Sequence, residues 1–282
     1  MREISVPPLV TVPPESNVTD LVLRQAAKAS NPALFSRLDA AGQWQDIRAT
    51  DFLADVSLLA KGLMASGVAA GDRVGIMSRT RYEWALIDFA IWFAGAVSVP
   101  IYETSSPSQV AWNLGDSGAV AAFGESAHHE NIIRQAATSE GLTALAHVWQ
   151  LEGSGLDEVR AAGAAVSDED LEARRSLASL SDLATIIYTS GTTGRPKGCE
   201  LTHGNFVELS ENALATSLNK IVHEQARTIM FLPLAHVFAR FISVLAVAAG
   251  VTVAHTPDIK NLLPDLQSYK PTFILAVPRV FE

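Results

Sequence analysis

Tyr188-Thr189-Ser190-Gly191-Thr192-Thr193-Gly194-Arg195-Pro196-Lys197-Gly198 crowds glycine, serine and threonine around a single lysine. That composition suits a polyphosphate. Glycine lets the backbone approach phosphate oxygens and present successive N–H groups, the hydroxyls add donors, and lysine brings a mobile positive charge. The residues before it, Leu183-Ala184-Thr185-Ile186-Ile187-Tyr188, are apolar and β-branched, which predicts a buried strand feeding the loop. A Walker A loop does not fit. Counting from Gly191 puts Pro196 where the second glycine belongs, and Lys197 is followed by Gly198 rather than a hydroxyl residue. Pro196 lacks an N–H and biases Arg195 away from helical geometry, so the stretch reads as a mobile loop rather than a helix N-terminus. The next helix is expected from about Thr202, an acceptable N-cap before Phe206, Leu209, Ala213 and Leu218.

Working outward, helical and extended patterns alternate. Helices are expected over Asp51 to Ser66, Arg81 to Phe93, Ser108 to Leu114, Ile132 to Ala137, Leu234 to Ala249 and Ile259 to Tyr269. Strands are expected over Asp72 to Met77, Ala96 to Ile101, Ala119 to Phe123, Thr228 to Leu232, Val251 to Ala254 and Thr272 to Val277. Such alternation predicts an α/β fold of mostly parallel sheets flanked by helices. The alanine-rich, charged stretch between Gly153 and Ser181 reads as a solvated connecting face.

Composition narrows the function classes. The 282 residues are 48% hydrophobic and carry a formal net charge of −9, without a basic stripe, which argues against a nucleic-acid partner. The single Cys199 excludes an intramolecular disulfide, fits a reducing, cytoplasmic setting, and reads as a small buried residue rather than a nucleophile. Met1-Arg2-Glu3-Ile4-Ser5-Val6-Pro7-Pro8 has no signal-peptide pattern. The segment from Leu234 to Ala249 is shorter than the roughly 20 apolar residues a bilayer span needs and contains His236 and Arg240.

The loop from Tyr188 to Gly198 resembles the phosphate loop of the acyl-adenylate-forming, or AMP-binding, superfamily. Trp92 to Tyr102 and Phe231 to Phe238 resemble the segments before and after that loop. Tyr102-Glu103-Thr104-Ser105-Ser106-Pro107, Ala235-His236-Val237-Phe238 and Val277-Pro278-Arg279-Val280-Phe281-Glu282 look most like long-chain fatty acid CoA ligases. The resemblance implies that residues 1–282 are a truncated N-terminal adenylation domain, without the family's small C-terminal domain. It implies activation of a long-chain fatty acid by ATP to acyl-AMP and then acyl-CoA, with Mg2+ and CoA. Thr189, Ser190, Gly191, Thr192, Thr193, Gly194 and Lys197 would then cradle the phosphates, with Thr189 near the metal and Lys197 a charge on the leaving pyrophosphate. His236 would sit at the mouth of the acyl pocket and orient the reacting groups, and Phe238 and Phe241 would line the tunnel. Ala239 stands where many related ligases carry an acidic residue, and Arg240 is expected either to compensate or to face solvent. Peripheral membrane contact and a homodimer are further expectations. Two alternatives stay open: a fatty acyl-AMP ligase loading a carrier protein, and a non-catalytic nucleotide- and acyl-binding module.

Overall fold

The computed structural model describes residues 6–189 and 195–276 and arranges them as two sheets with a helical layer between them. The larger sheet is formed by β3 (Arg73–Met77), β4 (Val97–Ile101), β5 (Ala119–Gly124), β6 (His147–Gln150), β7 (Leu183–Thr189) and β8 (Lys197–Thr202). Its order is β6-β5-β3-β4-β7-β8, parallel except for β8, which pairs antiparallel with β7. The smaller sheet has β1 (Ala33–Leu38), β2 (Trp44–Arg48), β9 (Arg227–Met230) and β10 (Thr252–His255) in the order β2-β1-β10-β9. Here β1 and β9 run parallel to β10, while β2 returns antiparallel to β1.

The helices are α1 (Thr19–Ala26), α2 (Ala49–Ala65), α3 (Tyr82–Phe93), α4 (Pro107–Ser117), α5 (Ala127–Ser139), α6 (Gly155–Ala162), α7 (Asp168–Arg175), α8 (His203–Leu214), α9 (Val237–Ala249) and α10 (Leu262–Tyr269). The main core joins side chains of α2, α3, α8 and α9 to the facing sides of both sheets. A separate apolar cluster seats α4 and α5 on the outer face of the larger sheet, and another seats α10 on the outer face of the smaller one. Every residue of α3 except Glu83 is buried, as expected of a helix apolar on all sides and enclosed on all sides. His255, at the end of β10, is 8% exposed and stacks on Phe35 at 5.9 Å; neither of its ring nitrogens has a hydrogen-bond partner among the described residues.

The alternating pattern and its parallel sheets match the sequence expectation, with several differences. Lys197 and Gly198, expected within the loop, instead begin the edge strand β8, so the phosphate-loop stretch is framed by a hairpin. Cys199 lies on that strand and is exposed, not buried. The expected strand from Thr272 has no ladder through Ala276, because the N–H groups of Thr272 and Phe273 both turn to the single carbonyl of Arg227. The charged stretch after Gly153 is solvated on one side only. Its α6 packs so tightly on α2 that a Cβ on Gly62 would lie 1.8 Å from the Val159 carbonyl oxygen. Arg175 of α7 is buried and pairs with Asp20 at 2.6 Å and Glu172 at 2.6 Å. Among the described residues, no helix is long and apolar enough to cross a membrane.

Candidate functional site

Thr189 ends β7 and faces Lys197, the first residue of β8, as its cross-strand partner. Both are exposed, so a hydroxyl and an ammonium stand opposite each other where the hairpin opens. Two contacts pin the base of this hairpin to α4. The Trp112 indole N–H donates to the Pro196 carbonyl at 2.8 Å, and the Tyr188 hydroxyl donates to Asp116 at 2.7 Å. The Arg195 guanidinium lies 4.7 Å from the centre of the Trp112 ring, a cation–π contact that extends the same anchor.

His236 reaches the region from the other side. It is the N-cap of α9, where its Nδ1 accepts from the Phe238 N–H at 3.2 Å, which is why the helix begins at Val237 rather than at Leu234. The cap fixes Nδ1 as an acceptor, so the neutral ring carries its proton on Nε2. A cavity of about 340 Å³ lies at the carboxyl ends of β4 and β7, the usual ligand position in open α/β sheets, and is lined by Tyr102, Ser105, Asn113, Tyr188, Thr189 and His236 among others. Among its described lining residues none is acidic, so nothing in the wall repels an anion. Asn113 is 7% exposed, and its Oδ1 has no hydrogen-bond partner among the described residues.

The structure therefore brings Thr189 and His236 to one cavity, with Lys197 across the hairpin. Ser190, Gly191, Thr192, Thr193 and Gly194 lie outside the described residues. Phe241 lines an apolar groove between α8 and α9, floored by the buried Phe206, and Val237 lines both that groove and the cavity, whereas Phe238 is 40% exposed. Tyr102, Ser105, Asn113 and Asp116 were not singled out from the sequence, although Tyr102 and Ser105 belong to a stretch that carries the resemblance. A strand-to-helix turn next to a phosphate loop was the available signal.

Arg240 does not face solvent. It is 1% exposed, and its Nε and Nη2 donate to Asp88 of α3 at 2.7 to 3.2 Å. Nη2 also donates to Ser98 on β4 at 2.8 Å, and Nη1 donates to Thr185 on β7. Burial pushes the Asp88 carboxyl up from its ordinary value, and the guanidinium beside it opposes that rise.

A family model described as AMP-binding enzyme matches residues 23–282. This chain belongs to the AMP-binding enzyme family. Among curated members, the long-chain-fatty-acid–CoA ligase FadD15 of Mycobacterium tuberculosis is 47% identical over 285 residues, taking in 100% of this chain and 47% of that protein. The peroxisomal long chain acyl-CoA synthetase 7 of Arabidopsis thaliana is 32% identical over 238 residues, 79% of this chain and 33% of that one. The chain thus spans about half the length, or less, of these AMP-binding relatives. Among solved structures, the inhibitor-bound N-terminal domain of FACL13 from Mycobacterium tuberculosis superposes with a TM-score of 0.79 at 22% identity, over 94% of this chain and 63% of that one. The o-succinylbenzoate CoA synthetase MenE of Bacillus subtilis, in complex with its acyl-adenylate intermediate, superposes with a TM-score of 0.74 at 22% identity, over 93% and 62%. These two likenesses establish the AMP-binding fold.

Proposed function

We propose that this chain is the phosphate- and acyl-binding part of an ATP-dependent ligase that activates a long-chain fatty acid as acyl-AMP and passes it to CoA. The observation that carries the reading is the convergence of Thr189, Lys197 and His236 on the carboxyl ends of β4 and β7, in a chain 47% identical to a long-chain-fatty-acid–CoA ligase. The described residues fit a nucleotide polyphosphate: the Thr189 hydroxyl belongs to a cavity without acidic lining, and Lys197 stands across the hairpin from it.

Each residue then has a physical task. Lys197 places a point charge against the phosphates, lowering the repulsion that a carboxylate meets on approach. The Thr189 hydroxyl would bind phosphate oxygen and join the shell of a Mg2+ ion, whose chemistry when bound is to neutralise phosphate charge. His236, with Nδ1 engaged at the helix cap, offers its Nε2–H to the carboxylate or the α-phosphate and orients them without abstracting a proton. A fatty carboxylate is already ionised near neutral pH and needs no base. Val237 and Phe241 supply an apolar wall for the acyl chain.

The test measures fatty-acid-dependent exchange of labelled pyrophosphate into ATP, and MgATP affinity by calorimetry, for this chain and its Lys197→Ala variant. Loss of exchange, or an affinity at least tenfold weaker in the variant, is expected. Equal affinity and equal exchange in the two proteins would refute the assignment of Lys197.

A further inference from the structure

We propose that the buried pair Arg240–Asp88 is the positioning device of this site, holding His236 in register with Thr189 across the boundary between α9 and the larger sheet. The inference rests on the function proposed above. Arg240 lies one helical turn after His236 on α9, and Thr185 lies four residues before Thr189 on β7. One guanidinium therefore links the helix that presents the imidazole to the strand that presents the hydroxyl. Its donors run to Asp88 of α3, Ser98 of β4 and Thr185 of β7, and Thr185 in turn donates to the Ser98 carbonyl at 2.7 Å.

The surroundings leave the guanidinium little freedom. Its centre lies 5.3 to 5.6 Å from the ring centres of Trp84, Trp92 and Phe206, and Asp88 is 4% exposed. A well-packed apolar substitute for a buried ion pair is often as stable, because desolvation offsets much of the Coulomb attraction. What such a substitute lacks is direction. The planar fork fixes distance and angle to three elements at once, and a lysine at position 240 would keep the charge and lose the fork. Misplacing a reacting group by about 1 Å costs on the order of a hundredfold in rate.

The experiment compares Arg240→Lys with Arg175→Lys, which disrupts a second buried arginine on α7 away from the cavity. Three readouts apply to each variant: pyrophosphate exchange at saturating substrates, MgATP affinity, and hydrogen exchange of the Phe238 amide, the proton held by His236. Arg240→Lys is expected to slow pyrophosphate exchange about 10- to 100-fold with MgATP affinity within about threefold, and to speed Phe238 amide exchange at least about tenfold. Arg175→Lys should lower the melting temperature while leaving all three readouts unchanged at a temperature well below melting. If Arg240→Lys fails to fold, Ser98→Ala removes one acceptor with little change in volume and should shift the same readouts by about three- to tenfold. Unchanged Phe238 exchange, or the same loss of activity in Arg175→Lys, would overturn the proposal. A wild-type chain without MgATP binding or pyrophosphate exchange would instead count against the function proposed above, and Phe238 amide exchange would then decide the positioning role alone.

Discussion

Acidification should destabilise this protein through two histidines that are neutral because they are buried. Burial pushes His255 down to about 4, with Glu83 opposing, and pushes His203 down to about 4, with Asp182 and Asp20 opposing. In the unfolded chain both titrate near the ordinary 6.5. Above that value neither state holds the extra proton and the groups contribute nothing to the pH dependence. Between 6.5 and 4 the unfolded chain binds protons that the folded chain refuses, so stability falls as pH falls, and the loss levels off below about 4. At pH 5 each histidine is about one and a half units below its unfolded midpoint, a loss of about 2 kcal/mol each at about 1.4 kcal/mol per unit. His255 gives the clean test, since neither ring nitrogen has a described partner to lose. Urea unfolding of wild type and His255→Leu at pH 8 and pH 5 should show the variant losing about 2 kcal/mol less across that interval. An identical pH dependence in the two proteins would refute the reasoning.

The other predictions concern packing and the hairpin base. Gly62→Ala drives a methyl into the Val159 backbone of α6, a contact no rotamer change relieves, and should cost about 3 kcal/mol or more by thermal or urea unfolding without changing MgATP affinity. Tyr188→Phe removes the hydroxyl that donates to Asp116 and should lower stability by about 1 kcal/mol, with faster amide exchange in β8 than in β3. Uniform protection in both strands would argue against the hydroxyl as an anchor of the hairpin.

Much of this arrangement was legible from the residues. The strand into the phosphate loop, the helix starting after Thr202 and most central elements follow from periodicity and punctuation, and Thr202 does form a capping box with Asn205. Edge elements were harder to read. Lys-Gly-Cys-Glu-Leu-Thr has no apolar run, because β8 packs mainly through its pairing with β7 and stays exposed along most of its length. Trp44-Gln-Asp-Ile-Arg of β2 is half solvated for the same reason. Arg240 defeated a local reading, since its burial depends on Asp88, 152 residues earlier in the chain. His236 sits in an apolar segment yet is exposed, because its backbone leaves the interior to start α9.

The topology of the smaller sheet governs how the molecule can assemble. Its strand β1 pairs with β10 through Phe35 and Val253, while the whole larger sheet is built from the residues between them. During synthesis β1 and β2 can form only a two-stranded hairpin, which is marginal in water by itself, until β10 has emerged more than 200 residues after β1. The larger sheet, from Arg73 to Thr202, meets no such delay and can pair as its strands appear. Closing the smaller sheet is then the late, long-range step, so mutations at the Phe35–Val253 register should slow refolding less than they speed unfolding.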